Sequence, residues 1–272
     1  MDSKYEALAD IENDLEFIKH RNILPDISQV ASHYHDGMEI LCFLDGFGSV
    51  YLNGKKLNIK KGDTVVVNSK EIHSIVPDTD LKYYCIILKK SFLKKHNFPY
   101  KESYIKSQFS DEKITEYCSY ICEEENEKSQ WYKKQAYAYL ILLTVQLYSE
   151  HLYKNKKNLK SSIPSKTALV ISMMDYISDN CEKVFSLEEL ELALGYSKYY
   201  LCRTFKELTT QTIIEYINRL KCSKAMEDLK SGEYAVYEIA QKYGYDNFSY
   251  FSETFKKYIG KSPSSVSKNN GN

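Results

Sequence analysis

Two histidines and a glutamate stand close together early in the chain: His33, His35 and Glu39. Imidazole and carboxylate groups ligate divalent first-row metals, and they also hydrogen-bond the hydroxyls of small polar molecules. Side chains alternate faces along an extended strand, so positions 33, 35 and 39 share one face. The residue types therefore allow either a metal site or a polar ligand pocket.

Such groups need a scaffold, and the surrounding sequence supplies strands. Glu39-Ile40-Leu41-Cys42-Phe43-Leu44 reads as a strand, followed by a turn at Asp45-Gly46-Phe47-Gly48 and a second strand at Ser49-Val50-Tyr51-Leu52. Asn53-Gly54 is the strongest hairpin signal in the chain. Gly62-Asp63 turns into Thr64-Val65-Val66-Val67, and Lys82 to Leu88 is a further strand. Many short strands at this spacing predict a β-barrel or jelly roll. Helical periodicity follows over about 111–125 and 130–153. The second stretch carries an apolar stripe, Tyr137, Leu140, Ile141, Thr144, Val145, Leu147 and Tyr148, wide enough to bury on two sides. One side fits packing on the barrel and the other a dimer interface. Cys118 and Cys122, four apart, are read as core residues. Before the barrel, Leu8, Ile11, Leu15 and Ile18 fit a short amphipathic helix.

The last third of the chain contains one pattern twice. Leu194-Gly195-Tyr196-Ser197, Tyr200-Leu201 and Arg203-Thr204-Phe205-Lys206 are matched by Tyr243-Gly244-Tyr245-Asp246, Tyr250-Phe251 and Glu253-Thr254-Phe255-Lys256, with one residue inserted in the second copy. Each copy follows a short amphipathic stretch, so each reads as helix, glycine turn, helix: the helix-turn-helix unit. Ser186 with Glu189 forms a capping-box pattern, and Ser197 and either Asp246 or Asn247 suit the starts of the second helices. Leu201 with Phe205, and Phe251 with Phe255, share an inward face at i,i+4 spacing. The outward faces are left for a DNA groove. They carry Ser197, Lys198, Tyr199, Cys202, Arg203 and Lys206 in the first unit, and Asn247, Phe248, Ser249, Ser252 and Lys256 in the second. A long helix over about 211–230 joins the units, with Ile213, Ile217, Leu220 and Leu229 at helical spacing.

Residues from about 165 to 268 resemble the DNA-binding domain of the AraC/XylS family of bacterial transcription regulators. The resemblance rests on Ile239-Ala240-Gln241-Lys242-Tyr243-Gly244-Tyr245, on Ser249-Tyr250-Phe251-Ser252, and on Phe255-Lys256-Lys257-Tyr258-Ile259-Gly260-Lys261-Ser262-Pro263. Glu253 departs from the family pattern, where Arg is frequent, and Val266-Ser267 replaces a common Tyr-Arg. The resemblance implies double-stranded DNA and a small-molecule effector as partners, a homodimer, and RNA polymerase as a further contact.

The earlier segment resembles a cupin by spacing: His33-x-His35, Glu39, Gly46, Gly62 and His73. In metal-dependent cupins these three histidines and the glutamate hold a divalent metal. Sensor domains of the AraC type carry a similar pattern as part of an effector pocket. Asn68 and Lys70 replace the usual Pro and Gly of the second cupin motif, and Lys70 would bring another cation near the site. The expectation is a metal-free pocket in which His33, His35, Glu39 and His73 line a site for an effector such as a sugar, with no cofactor and no catalytic residue. A divalent metal on the same four residues is the alternative.

The fold class expected is two-domain α+β. A cupin-like barrel (jelly roll) plus helices occupies 1–153, a linker 154–166, and an all-α domain 167–272 with helix-turn-helix units at about 187–206 and 236–257. The linker reading rests on Lys154, Lys156, Lys157 and Lys160 among Asn155, Asn158, Ser161, Ser162 and Pro164. Lys+Arg and Asp+Glu are both 37. The region from Ser165 onward is balanced too, with fourteen of each, which predicts modest non-specific DNA affinity. There is no basic n-region or apolar h-region at the N-terminus and no apolar run of bilayer length, so neither a signal peptide nor membrane association is expected. Seven cysteines without a Cys-x-x-Cys suit reduced thiols in a cytoplasm. The function expected is a sequence-specific DNA-binding regulator that senses a small molecule. A metal-dependent cupin enzyme with a helical appendage is the alternative, disfavoured by the C-terminal repeat.

Overall fold

A computed structural model describes residues 17–24, 29–100, 103–123, 130–153, 165–182 and 186–267. Its contacts divide the chain into two units that meet in sequence between residues 164 and 165. Of the expected linker 154–166, residues 154–164 lie outside the described residues, as do Leu8, Ile11 and Leu15, whereas residues 165 and 166 instead begin a helix, Ser165–Asp179, whose backbone bonds start earlier than the polar composition suggested. Ile18, expected on a helix, instead belongs to a strand. A helical pattern of four apolar residues is weak against eight residues of antiparallel pairing with a neighbouring strand.

The first unit is two antiparallel sheets. Its strands are β1 (Phe17–Leu24), β2 (Val30–His33), β3 (Met38–Asp45), β4 (Phe47–Leu52), β5 (Lys55–Lys60), β6 (Thr64–Val67), β7 (His73–Pro77), β8 (Leu81–Leu88) and β9 (Gln108–Phe109). One sheet has the order β1-β8-β3-β6-β9 and the other β2-β7-β4-β5. Asn53 and Gly54 both take positive φ, 48° and 80°, which is the backbone of a type I′ hairpin between β4 and β5. The turn expected over residues 45–48 is tighter than that: Gly46 alone separates β3 from β4. It has φ +84°, and a Cβ there would lie 2.2 Å from the Asp80 carbonyl oxygen.

β3 is buried at six consecutive positions rather than at alternate ones. One of its faces looks between the sheets, and the other is covered by helices α2 (Glu112–Cys122) and α3 (Tyr132–Glu150), which follow a short α1 (Lys90–Lys95). Ile40, Cys42 and Ile86 on the strands pack in one core with Ile114, Cys118 and Ile121 of α2 and Leu140, Leu143 and Leu147 of α3. Cys118 and Cys122 are core residues as expected, and Cys118 Sγ touches Cys42 Sγ at 3.2 Å.

The second unit is helical: α4 (Ser165–Asp179), α5 (Leu187–Leu194), α6 (Lys198–Thr209), α7 (Ile213–Ser231), α8 (Val236–Lys242), α9 (Phe248–Ile259) and α10 (Pro263–Ser267). Caps set the boundaries. Ser186, Ser197 and Asn247 each accept a backbone N–H three residues on. Thr212 and Glu215 form a full capping box at the start of α7. Gly195 and Gly260 end α5 and α9 in the left-handed region, where Cβ is penalised.

The repeat exposes one mismatch. Thr210 ends α6 where Gly260 ends α9, yet it adopts φ 64°. A β-branched residue there is strained by about 1–3 kcal/mol. Thr210→Gly should therefore raise the stability of the second unit by about 1 kcal/mol once its greater unfolded-chain entropy is counted. Denaturant unfolding of the full chain measures this, and a loss of stability would show that the Thr210 side chain contributes more than its strain costs.

Candidate functional site

The four residues singled out early do converge. Their ligand atoms, one per residue, all lie within 4.8 Å of one another. Alternation along one strand is not the cause. His33 ends β2, His35 sits in the connection, and Glu39 is the second residue of β3. His73 opens β7 directly across from His33, and their rings are 4.1 Å apart. Because β2 and β7 belong to one sheet and β3 to the other, the cluster occupies the space between the sheets.

Hydrogen bonding fixes how each ring faces. His33 Nδ1 donates to the Ala31 carbonyl at 2.9 Å, His35 Nδ1 to Gly37 at 3.2 Å and His73 Nδ1 to Glu71 at 2.9 Å. Carbonyls only accept, so each Nδ1 carries the proton. Nε2 of His35 and of His73 then approach the same oxygen, Glu39 Oε2, at 3.2 and 2.8 Å. The His73 contact has the distance of an ion pair, yet Nε2 is not aligned to donate. A neutral ring with its proton on Nδ1 offers only a lone pair at Nε2, and lone pairs repel a carboxylate. The cluster thus calls for added positive charge, either protons on the rings or a cation among them.

Burial alone would raise the Glu39 carboxyl pKa, but the His73 charge and a hydrogen bond from His35 hold it well below the usual range. Burial would lower His73, and the Glu39 charge raises it instead. His33 is pushed down to about 3 by burial and by the His73 charge, so it is a neutral imidazole. Three imidazoles tied by their second nitrogen to backbone carbonyls, with one carboxylate, match the ligand types and outer-sphere pattern of a divalent metal centre.

The side chains of the two residues expected to disfavour a metal have other partners. Asn68 bridges to the backbone of Ile105, accepting its N–H at 2.9 Å and donating to its carbonyl at 3.1 Å. The Lys70 ammonium lies 3.8 Å from an Asp36 carboxylate oxygen, which offsets its charge. One partner of the site had no signal in the sequence. Cys85 of β8 donates its S–H to Glu39 Oε1 at 2.9 Å. Burial and the Glu39 charge push its thiol pKa well up, so it stays protonated.

The second candidate surface lies on the helical unit. Leu201 and Phe205 of α6, and Phe251 and Phe255 of α9, are buried. Opposite them, Ser197, Lys198, Tyr199, Arg203 and Lys206 are exposed and Cys202 is half-buried. On α9, Asn247, Phe248, Ser249, Glu253 and Lys256 are exposed and Ser252 is half-buried. Ser197 and Asn247 serve as caps, and Lys198 Nζ pairs with Glu188 at 2.7 Å, so these three are already engaged. Tyr199 is 76% exposed, unusual for an aromatic residue without a partner surface. Tyr196 and Tyr200, part of the repeat but not of the expected DNA-facing set, stack on each other beside this face with ring centroids 5.4 Å apart.

The two turns differ. In the second unit Tyr243 and Tyr245 are buried and their hydroxyls donate to Asp228 and Asn218 of α7, while Lys221 Nζ donates to the Tyr243 carbonyl at 2.7 Å. Among the described residues no equivalent anchoring is seen for Tyr196, which is exposed.

Known proteins match both units. Residues 16–95 match the AraC-like ligand binding domain family, and residues 191–269 match a helix-turn-helix domain family. Over 92 residues the chain is 34% identical to the multiple antibiotic resistance protein MarA of Escherichia coli, covering 34% of this chain and 72% of MarA. The HTH-type transcriptional activator AarP of Providencia stuartii is 30% identical over 99 residues, 36% of this chain and 73% of AarP. YdeC of Bacillus subtilis, an uncharacterized HTH-type transcriptional regulator, is 22% identical over 255 residues, 89% of this chain and 87% of its own. Among solved structures, ToxT from Vibrio cholerae shares the fold with a TM-score of 0.50 at 14% identity, over 93% of this chain and 97% of ToxT.

Proposed function

The chain belongs to the AraC family of transcription regulators, and from that premise we propose how its two surfaces work: the barrel cluster senses a small molecule, and the exposed faces of α6 and α9 read DNA. The paired helix-turn-helix units, each with an exposed second helix, carry the reading. Nothing in the relatives favours the enzyme alternative, since AarP and YdeC are regulators by name. We assign residues 1–153 to effector sensing, 154–164 to a linker and 165–272 to DNA binding.

The α6 face supplies most direct base readout. Arg203 is exposed one turn after Tyr199, and a bidentate Arg–guanine pair is worth about 1–3 kcal/mol. The α9 face is poorer in base readers, with Glu253 exposed among Phe248, Ser249 and Ser252, and it mainly positions the domain on phosphates. Selection of bound duplexes from a random pool with full-length protein should yield a site read in two successive major-groove segments. Recovery of no enriched sequence would overturn this assignment. Arg203→Ala should weaken binding to that site by about 5- to 150-fold and relax preference at one base pair. Unchanged affinity together with unchanged preference would remove Arg203 from the interface.

In the barrel, His33, His35, Glu39 and His73 form the sensing site. The sequence led us to expect no cofactor. The three Nδ1 bonds to backbone carbonyls support a different assignment, in which these four residues hold a divalent metal. When bound, such a metal supplies the positive charge that the facing lone pairs and carboxylate lack. Elemental analysis of purified full-length protein tests this, and absence of any bound divalent metal after purification without chelator would return the cluster to the metal-free pocket.

The outer side of α3 leaves Leu142 and Val145 about half exposed, and Tyr139 stacks on Tyr120 beside them. We assign this face to a homodimer. The naming of AarP as an activator supports RNA polymerase as a further partner. No helix among the described residues is long and apolar enough to cross a membrane. All seven cysteines are free thiols, which suits a reducing cytoplasm.

A further inference from the structure

The carboxylate of Glu39 is divided between two environments. Its Oε2 faces His35 and His73, while its Oε1 accepts the S–H of Cys85. Cys85 is fully buried in β8, opposite Leu41, whereas Glu39 is opposite Ile87. The two residues are thus diagonal neighbours on the same face of adjacent strands, within reach of each other. A buried carboxylate oxygen without a donor would keep its full desolvation penalty. Every position from Tyr83 to Leu88 is buried, and Cys85 brings the one S–H among them to Glu39.

We propose, on the metal-bearing reading of the cluster, that Cys85 is a positioning residue that holds Glu39 as a one-oxygen ligand. Its S–H occupies Oε1 and leaves Oε2 as the oxygen directed at His35 and His73. Without that donor, Oε1 is free to swing toward the cation, and the coordination number changes. Cys85 therefore acts through Glu39 and does not itself touch the metal.

The test uses full-length protein stripped of metal and titrated with Co2+, whose visible absorption reports coordination number and whose affinity is read by competition with a chelator. Three variants separate the hydrogen bond from the volume of the side chain. Cys85→Ser keeps a donor, Cys85→Val keeps the volume without a donor, and Cys85→Ala loses both. We expect the serine variant to retain the native bands and an affinity within a few-fold of native. The valine and alanine variants should show shifted bands and affinity about 10- to 100-fold weaker, the usual cost of losing an outer-sphere partner. Native behaviour of Cys85→Val would overturn the proposal, as would a serine variant that behaves like valine. A thiolate-to-cobalt charge-transfer band in native protein that disappears in Cys85→Ser would place the sulfur on the metal and also overturn it. Native protein that binds no Co2+ would overturn this proposal together with the metal reading, whereas changes confined to the valine and alanine variants test Cys85 alone.

Discussion

Glu39→Gln is expected to abolish metal retention and effector response while leaving operator binding by the full-length protein intact. Glutamine has nearly the same shape, so the barrel core is preserved. What disappears is the negative charge, and Glu39 is the acceptor approached by both His35 and His73 and by the Cys85 thiol. Loss of a direct ligand should exceed the roughly 10- to 100-fold cost of losing an outer-sphere partner. Metal content, a transcriptional reporter and an operator-binding assay on the same protein check the three parts. Retained metal with a lost response would keep Glu39 in the sensing site and remove it from the ligand set. A retained response would move the sensing site elsewhere.

The same cluster has a pH signature in metal-free protein. His33 has an ordinary pKa of 6.5 and is held at about 3 in the folded barrel. Between those values the unfolded chain binds a proton that the folded one refuses. Stability is therefore full above pH 6.5 and falls as pH drops toward 3. His33→Gln should flatten that fall.

The second large effect is expected at Phe255. Its ring is fully buried at the centre of the second helix-turn-helix unit, 5.6 Å from the Phe251 ring, in a core with Cys222, Leu229, Ile239 and Val266. Truncating a buried aromatic side chain costs about 3–5 kcal/mol, because transfer energy is lost and the cavity collapses only in part. For a unit of this size that is a large share of total stability. Phe255→Ala should therefore shift the denaturant midpoint strongly and remove the contribution of α9 to DNA binding. A change under about 1 kcal/mol would mean that the neighbouring helices close over the cavity. The reference variant is Lys256→Ala, one residue on and exposed, which should leave stability nearly unchanged.

Much of this protein was determined by local sequence. The strands at 39–44, 49–52, 64–67 and 82–88, the Asn53-Gly54 hairpin, the helix caps at Ser186, Ser197 and Asn247, and the buried pairs Leu201/Phe205 and Phe251/Phe255 follow from turn chemistry and periodicity, which act over a few residues. The strained Thr210 is also visible once the two copies are aligned, because its partner in the repeat is Gly260. Other features depended on which strands become neighbours. The convergence of His33, His35, Glu39 and His73 was anticipated, but from alternation along one strand. It comes instead from pairing β2 with β7 and from facing that sheet against β3. Ile18 was misread because an isolated apolar pattern does not report the strand that will pair with it. Asn68 and Lys70 looked like obstacles to a cation, and only the folded chain turns one onto Ile105 and the other onto Asp36. Cys85 sits in an unbroken apolar run, 46 positions from Glu39. Nothing local distinguishes it from a core residue, since its role arises only when antiparallel register sets it diagonally across from the carboxylate.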